Sequence, residues 1–321
     1  MALGEFDLIR RFFSRPTAQT LLPGGDDAAL LQPAQGMQLA VSTDMLVAGR
    51  HFFPNTDPYR LGWKTLAVNL SDLAAMGARP RWATLSLALP EVNESWLAAF
   101  AAGFYALAEQ YGVDLVGGDT TRGPLTLCVQ IMGEVTPGCA LQRNRAKPGE
   151  LIWLSGSIGM AALGLQHLLG RLDLADQQLA AACRQKLEQP EPRVALGLAL
   201  QGRLQCGMDV SDGLLGDLGH ILDASAVGAH IDLEALPVPA SLAARLREPL
   251  IRQSILSGGD DYELLFTAPA SLSEDLQQLS RQLSVPLTCI GRVTDKPGLQ
   301  LCEQGRCQPV SPAGYDHFAA T

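Results

Sequence analysis

Several aspartates in this chain stand where carboxylates rarely occur in a globular protein. Asp44 follows Ser42-Thr43 at the end of an apolar stretch, and Asp72 lies inside an apolar helical pattern. Asp119 directly follows the glycine pair Gly117-Gly118, which ends another apolar stretch. Because a buried carboxylate without a partner is costly, these positions indicate a chemical role.

Three more segments carry acids in similar surroundings. Asp27 lies two residues after a glycine pair, Asp209 and Asp212 occur in DVSDGL, and Asp260 follows a third glycine pair. Taken singly, each has an ordinary explanation, because Ser211 or Asp212 can cap a helix and Asp27 can belong to a turn. Taken together, their oxygen atoms are the ligands that magnesium prefers, and nucleotide phosphates are its usual partners.

No phosphate-binding loop of a known type accompanies these aspartates. The chain contains no G-x-x-x-x-G-K-[ST] segment, no protein-kinase catalytic loop and no G-x-G-x-x-G segment. The glycine pairs would instead let the main chain approach a phosphate and donate its amides. The residues therefore predict a metal-dependent enzyme that acts on phosphates and holds any nucleotide mainly through metal ions.

Composition narrows the class of protein further. The 321 residues include 33 acidic and 24 basic side chains, so the net charge is −9. This balance argues against a nucleic-acid surface and against binding to an anionic membrane. No apolar run approaches the ~18 residues of a spanning helix, and the N-terminus lacks an export pattern. The seven cysteines form no C-x-x-C pair, so we expect reduced thiols, without a disulfide or zinc site, in a cytoplasmic protein.

The elements that must position the aspartates form two regions. In the first, apolar periodicity predicts helices over 58–76 and 94–111, each followed by a glycine. Strands are expected at 38–42, 83–89, 113–117 and 125–133. The segment 136–149 has two Pro-Gly pairs and no apolar period, which is typical of a linker.

The second region alternates helices and strands. Helices are expected over 159–169, 175–187, 193–204 and 213–224, and strands in ELIWLS and at 230–233, 262–267 and 287–291. The fold class is therefore α/β (α+β). We place the domains at 1–137 and 148–321.

A series of segments, in order along the chain, resembles the thiamine-monophosphate kinase family. AVNLSDLAAMGARP at 67–80 and GGDTTRGP at 117–124 are the most specific of them. The others are GEFDLI at the start, GDDAA, STDMLVAGRHF, AKPG, DVSDGL, SGGDDYEL and GYDHF. The resemblance runs from residue 4 to residue 318.

This resemblance implies the two-domain fold shared with aminoimidazole ribonucleotide synthetase. The N-terminal mixed-sheet domain would bind ATP and metal and form a homodimer, and the C-terminal domain would be α/β. The implied reaction transfers the γ-phosphoryl group of ATP to thiamine monophosphate and yields thiamine diphosphate and ADP. Several Mg²⁺ ions would offset the repulsion between two polyanions. The acceptor oxygen is already ionised, so no catalytic general base is expected.

The resemblance also assigns site residues, one position at a time. Those expected to contact ATP are Gly118, Asp119, Arg143 and Ser211. Those expected to contact thiamine monophosphate are His51, Asp260 and Tyr315. The expected metal ligands are Asp27, Ser42, Thr43, Asp44, Asp72, Asp119, Asp209 and Asp212.

Several alternatives stay open. His51 has aromatic neighbours typical of a packed histidine, and Arg145 is placed as well as Arg143 to meet a phosphate. Position 260 carries aspartate where the family segment has glutamate more often. Asp261 and Glu263 are therefore further candidates for the contact to thiamine monophosphate. A relative with another acceptor, such as selenide or a formylglycinamidine substrate, is a second reading, although a selenide enzyme would need a reactive cysteine before Cys128. A non-catalytic scaffold that binds metal or nucleotide is a third.

Overall fold

The computed structural model describes residues 4–315 and 317–318, without the side chain of Glu5. These residues form two compact units. The first contains the chain up to Leu73 together with Ala78–Pro137, and the second contains Ala74–Gly77 together with the chain from Gly138 onward. The segment Ala74–Gly77 begins with the last two residues of the helix Pro58–Ala75.

The first unit is built on a four-stranded sheet. Its strands are β1 (Gln38–Val47), β2 (Arg79–Leu89), β3 (Asp114–Arg122) and β4 (Thr126–Val135), in the order β1-β4-β2-β3. Only β2 and β3 are parallel, and the other neighbours are antiparallel. The helices are α1 (Glu5–Leu8), a π-helical turn at Ile9–Phe13, α2 (Pro58–Ala75) and α3 (Glu94–Tyr111).

Helices α2 and α3 lie where the sequence predicts them, and their main chains touch at two glycines. A Cβ atom on Gly62 would lie 2.0 Å from the carbonyl oxygen of Phe100, and one on Gly103 would lie 1.8 Å from that of Tyr59. Any side chain there would push the helices apart, so this close approach requires glycine. It fixes α2, which carries Asp72, against the rest of the unit.

Two strands run further than the sequence predicts. β1 continues through Asp44 to Val47, and β3 continues through Asp119 to Arg122. The expectation that these aspartates follow the strand ends is therefore wrong. Pairing explains the difference, because Asp44 lies opposite Val129 of β4 and Asp119 lies beside Ser86 of β2. Cross-strand hydrogen bonds thus sustain a strand through polar residues that local propensity disfavours.

Two buried carboxylates hold the N-terminal segment against the sheet. Asp114 accepts main-chain N–H bonds from Ala18 and Gln19, at 3.1 and 2.8 Å. Glu134 accepts one from the N–H of Ala34 at 2.6 Å. These contacts lie on both sides of the turn that contains Asp27, so they restrict where that turn can lie.

The second unit contains a seven-stranded sheet. The strands are β5 (Leu151–Ser155), β6 (Cys206–Val210), β7 (Gly228–Asp232), β8 (Glu263–Ala268), β9 (Leu287–Thr294), β10 (Gly298–Glu303) and β11 (Arg306–Val310). Their order is β11-β10-β7-β9-β5-β8-β6, and only β7 and β10 are parallel neighbours. The sequence reasoning did not predict β6, β10 or β11.

The helices of the second unit surround a large apolar core. They are α4 (Met160–Leu168), α5 (Gln177–Glu188), α6 (Val194–Leu200), α7 (Leu214–Ser225), α8 (Ala240–Ala243), α9 (Pro249–Ser257) and α10 (Ser273–Leu283), with 3₁₀ turns at Arg143–Arg145, Leu233–Ala235 and Ala270–Leu272. The expected helices correspond to α4–α7. Among the described residues, no helix has the length and apolarity needed to cross a membrane.

The cysteines correct one expectation. The β10–β11 hairpin places Cys302 directly opposite Cys307, and the two form a disulfide. The expectation of seven reduced thiols is therefore wrong, because a tight hairpin brings together two cysteines whose spacing is not C-x-x-C. Burial raises the pKa values of two other thiols, Cys183 and Cys206, to about 11 each, so both are protonated core residues.

Candidate functional site

In the first unit, strand β1 and helix α2 bring together three of the expected metal ligands and one further polar residue, Asn69. The hydroxyl of Ser42 donates a hydrogen bond of 2.5 Å to Oδ2 of Asp72, and the main-chain N–H of Asp44 donates one of 3.1 Å to Oδ1 of Asn69. The other end of the Asn69 amide donates to the carbonyl of Thr65. We call Ser42, Asp44, Asn69 and Asp72 the β1–α2 cluster.

Thr43 does not share a face with this cluster. Successive residues of a strand point to opposite faces, and Ser42 and Asp44 are half-buried whereas Thr43 is exposed. A contact from Thr43 to the same metal as its neighbours would therefore have to use the main chain. The sequence motif STD could not show this, because it holds side chains of both faces.

Asp119 also lies on the face opposite Asp44. The register places Asp119 beside Ser86, Ser86 beside Cys128, and Cys128 beside Met45, so these side chains share one face. Asp119 is exposed there. Burial, and then the charge of Asp44, raises the pKa of Cys128, which makes this thiol a poor nucleophile.

Two glycines, one in β3 beside Asp119 and one in the turn before Asp27, permit close main-chain packing. A Cβ on Gly118, whose φ is +150°, would lie 1.8 Å from the carbonyl oxygen of Leu85. One on Gly24 would lie 2.9 Å from the carbonyl oxygen of Val116. The turn leading to the exposed Asp27 therefore packs against β3, a few residues from Asp119.

His51 lies in the turn that follows β1. Its Nδ1 accepts the N–H of Val47 at 3.0 Å, and its carbonyl accepts from Nζ of the buried Lys64 at 3.4 Å. A neutral ring held in this way carries its proton on Nε2, which makes that nitrogen a hydrogen-bond donor. His51 is half-buried, as expected for either a packed or a ligand-binding role.

In the second unit, the turn between β6 and α7 carries the predicted residues Ser211 and Asp212. The carbonyl of Ser211 accepts the N–H of Asp260 at 2.8 Å, and the carbonyl of Asp212 accepts the N–H of Tyr315 at 2.9 Å. Asp209 lies just before the turn, buried in β6. The structure therefore brings these five predicted residues together. Asp316, in the same C-terminal motif as Tyr315, lies outside the described residues.

The loop before β8 holds its acids in different ways. The hydroxyl of Tyr262 donates to Oδ1 of Asp260 at 2.9 Å, and both residues adopt positive φ, at 52° and 68°. Such strained residues concentrate at functional sites. Asp261 instead accepts the N–H of Gly159 at 2.7 Å, and Glu263 is fully buried against Arg193. Asp261 and Glu263 are thus buried and bonded to interior groups, whereas Asp260 is half-buried.

Four ionisable groups act on Asp212. Burial is the main influence and raises its pKa, and Asp260 raises it further. The electrostatic effects of His317, His220 and Arg143 lower it. Arg143 is exposed and acts on Asp212, whereas the guanidinium of Arg145 donates to Gln142 at 3.0 Å. Arg143 therefore acts on the group around Asp212, and Arg145 is bonded to a residue near it in sequence.

The sequence reasoning missed three polar residues that organise these groups: Asn69, Asp217 and Tyr262. Asn69 was visible as a residue on the same helix face as Asp72. Asp217 is an acid inside an apolar helix, which is the same anomaly that identified Asp72. Tyr262 carried no separate signal, because tyrosine beside a strand is ordinary.

The donor chemistry of both units suits a hard cation that also binds phosphate. Within residues 4–315 and 317–318, no three His, Cys, Asp or Glu side chains converge as a complete metal cage. Magnesium commonly takes only one or two carboxylates and completes its shell with water and phosphate oxygens. Paired oxygen donors such as Ser42 and Asp72 match that requirement.

Comparison with known proteins defines the class first. The family model for the N-terminal domain of AIR synthase related proteins matches residues 25–135, and the model for the C-terminal domain matches residues 147–302. Both domains of this class therefore occur in one chain.

Full-length relatives define the family. Thiamine-monophosphate kinase of Salmonella typhimurium is 46% identical over 99% of each chain. A crystal structure of thiamine-monophosphate kinase from Stenotrophomonas maltophilia is 49% identical, with a TM-score of 0.85 over 96% of this chain and 99% of that one. AaThiL complexed with AMPPCP and TMP is 30% identical, with a TM-score of 0.77 over 98% and 96%. The chain belongs to the thiamine-monophosphate kinase family.

Proposed function

We propose that this protein transfers the γ-phosphoryl group of ATP to thiamine monophosphate and produces thiamine diphosphate and ADP. The observation that carries the proposal is the end-to-end similarity to thiamine-monophosphate kinases, at 46% identity over 99% of both chains. A 30% identical relative has been crystallised with AMPPCP and TMP. The two units supply oxygen-rich groups suited to such substrates.

The chemistry needs no general base. An oxygen of the acceptor phosphate, already ionised near neutral pH, forms the new bond to the γ-phosphorus. The bond from that phosphorus to the β–γ bridging oxygen breaks, and ADP leaves with the electron pair. The main task of the protein is therefore to bring two polyanions together and neutralise their charge.

Magnesium is the cation that this donor set would hold. In the first unit, we assign Ser42, Asp44 and Asp72, with the main chain of Thr43, as ligands on one face of the sheet. Asp119, on the opposite face, and Asp27 would bind a further ion. In the second unit, the assigned ligands are Asp209 and Asp212. Bound Mg²⁺ would supply positive charge against the phosphates. Around it, Asn69 holds the main chain at Asp44, and Ser42 orients Asp72.

Substrate contacts are assigned by the same reasoning. Gly118, Asp119, Arg143 and Ser211 would contact ATP. For thiamine monophosphate, the Nε2–H of His51 is a donor, Asp260 presents a carboxylate, and the half-exposed ring of Tyr315 offers a stacking surface. That ring already lies edge-on to His317, with 4.8 Å between centroids.

We also infer a homodimer formed through the first unit. The face of β1 opposite Ser42 and Asp44 carries Leu39, Val41 and Met45, which are 45%, 51% and 54% exposed. Three large apolar side chains in a row on an edge strand favour burial against a second copy. Light scattering coupled to gel filtration would give twice the chain mass, and V41K would give one chain mass. We expect the protein in the cytoplasm, which cell fractionation would test.

An acceptor panel tests the proposed activity. The purified protein would be mixed with Mg²⁺, ATP and one acceptor at a time: thiamine monophosphate, thiamine, selenide or a formylglycinamidine substrate. We expect ADP release with thiamine monophosphate only. Release with another acceptor alone would assign the chain to a different reaction, and binding of ATP without release on any acceptor would make it a scaffold.

A further inference from the structure

One buried carboxylate of the second unit has no part in the proposed reaction. Asp217 lies in the first turn of α7 and is 1% exposed. Its Oδ2 accepts three main-chain N–H bonds, from Ser211, Asp212 and Gly213, at 3.0, 3.1 and 3.1 Å. One oxygen atom thus gathers three consecutive amides. We call these three residues the 211–213 turn.

This arrangement differs from ordinary helix capping. A capping side chain normally satisfies the free N–H groups of the first helical turn. The amides bound by Asp217 instead belong to the residues that precede the helix, and Gly213, at the cap position, has no side chain to use. Asp217 therefore reaches backwards and orders the turn, which goes beyond capping.

The carbonyls of the same turn are also committed. The carbonyl of Ser211 accepts the N–H of Asp260, and that of Asp212 accepts the N–H of Tyr315. With its amides bound by Asp217 and its carbonyls bound by two other segments, the main chain of the turn has one orientation. That orientation decides where the side chains of Ser211 and Asp212 point.

We propose that Asp217 is a positioning residue, which holds the 211–213 turn so that Asp212 and Ser211 can bind metal and nucleotide. The inference rests on the proposed function for the roles of those two residues. Without Asp217, three N–H groups would lose their acceptor, and unsatisfied buried donors are costly. The turn would rotate to find other acceptors and move Asp212 with it.

The test uses the full chain and Mn²⁺ as the probe metal, in the presence of ATP. Electron paramagnetic resonance measures free Mn²⁺, so it gives metal affinity without turnover. We expect D217A to weaken Mn²⁺ binding by about tenfold or more, because three N–H groups of the turn lose their shared acceptor. We expect D217N to weaken it by about threefold, because its amide oxygen still accepts, less strongly than a carboxylate.

Asp176 provides the matched control. It caps α5 by accepting the N–H groups of Gln178 and Leu179 at 2.9 and 3.3 Å, and it is not one of the proposed site residues. D176A should lower the melting temperature and leave Mn²⁺ affinity unchanged. A purely structural Asp217 would behave in the same way when measured well below its melting temperature.

The outcomes separate this inference from the proposed function. Wild-type Mn²⁺ affinity in D217A overturns the inference. If D217A does not fold, D217N decides, and an unchanged affinity in that variant overturns it. A wild-type protein that binds Mn²⁺ and ATP but forms no thiamine diphosphate would refute the proposed function and leave the metal-binding test of Asp217 valid.

Discussion

The polar groups of the two units differ in how far the protein itself satisfies them. In the first unit, Asp27 and Asp119 are exposed, and Asp72 is half-buried with a hydroxyl partner. In the second, Asp217 and Glu263 are buried and bonded to protein groups. Among the residues around the candidate site, those of the first unit thus leave carboxylate oxygens open to cations, whereas the second unit also uses Asp217 and Glu263 to hold the segments near its proposed ligands.

The contrast explains why similar motifs have different physical consequences. The first unit contains two Gly-Gly-Asp segments and the second contains one. Asp119 is exposed on a strand, whereas Asp260 lies in a strained loop and accepts a hydrogen bond from Tyr262. Removing a proposed metal-binding carboxylate such as Asp72 or Asp119 from the first unit should harm chemistry with little effect on folding. Removing one of the buried carboxylates from the second should harm folding or positioning.

The largest expected effect is on turnover, in the first unit. D72N keeps the shape and the hydrogen-bond acceptor for Ser42 but removes the charge. We expect turnover to fall by about a hundredfold or more, since metal-bound charge is worth several kcal/mol in the transition state and about 1.4 kcal/mol corresponds to tenfold. Steady-state ADP release measures this.

The control for this prediction is D275N, at an exposed position in the first turn of α10. It should retain full activity. Both variants should unfold near the wild-type temperature. If D72N turned over ATP at the wild-type rate, the β1–α2 cluster would not be a metal site.

The next effect is on stability, in the second unit. Glu263 is fully buried and bonds to Arg193, Lys186 and Ser155. E263Q removes the buried anion shared by Arg193 and Lys186, and among the described residues Arg193 keeps only the exposed Glu191 as a partner. We therefore expect the free energy of unfolding to fall by about 3 kcal/mol or more. Urea unfolding measures this, with E91Q at an exposed position as the control. A change as small as that of E91Q would mean that the buried ion group contributes nothing.

The same residue predicts a pH dependence. Burial alone would raise the pKa of Glu263, but the hydrogen bond and charge of Arg193, with Lys186 and Ser155, outweigh burial and lower it. A lowered pKa stabilises the fold above the unfolded value of about 4.3, and this contribution is lost as the pH falls through the folded value. In a plot of the free energy of unfolding against pH, the limb below that pH should therefore be steeper for the wild type than for E263Q. Parallel limbs would contradict this.

A smaller effect is expected from the hydroxyl of Tyr262. Y262F removes the bond to Asp260, and hydrogen bonds to charged groups are worth about 1.5–3 kcal/mol, of which water recovers part. We expect KM for thiamine monophosphate to rise about tenfold, with kcat and KM for ATP little changed. Y105F is the control, because the hydroxyl of Tyr105 is buried and has no hydrogen-bond partner among the residues that the structure describes. Equal kinetics in both variants would remove the role of Tyr262.

The smallest effect separates the two faces of β1. T43V removes a hydroxyl on the face opposite Asp44 and keeps the main chain, so we expect less than about threefold change in the Mg²⁺ needed for half-maximal rate. S42A removes the partner of Asp72 and should raise that requirement by about tenfold. A larger effect of T43V than of S42A would place the metal on the other face.

The sequence predicts the elements of this protein where local periodicity is strong. Helices α2 and α3, each followed by a glycine, have strong helical periodicity, and strand β4 has a clear alternation of apolar residues. It fails for β6, which is five residues long and buried throughout, and for the β10–β11 hairpin that forms the Cys302–Cys307 disulfide. β6 and β10 pair with strands that are distant in sequence, β8 and β7, and β11 is short and pairs only with β10.

The candidate site shows the same division. The sequence motifs identified the carboxylates. The oxygen-ligand chemistry of those residues, together with the family resemblance, predicted a magnesium-dependent phosphotransfer. They could not show that Thr43 and Asp44 lie on opposite faces, or that Asp217 binds three amides, because register and long-range hydrogen bonds arise only from the folded chain. The assignments of individual ligands stay predictions.

The most direct test of the central claim follows the transferred phosphorus itself. The full-length protein would be mixed with Mg²⁺, thiamine monophosphate and ATP labelled at the γ-phosphate, and the products separated and counted. Direct transfer predicts that the label appears in thiamine diphosphate in a one-to-one ratio with ADP, and that no ADP forms without thiamine monophosphate. Label released as inorganic phosphate, with no labelled thiamine diphosphate, would contradict the account.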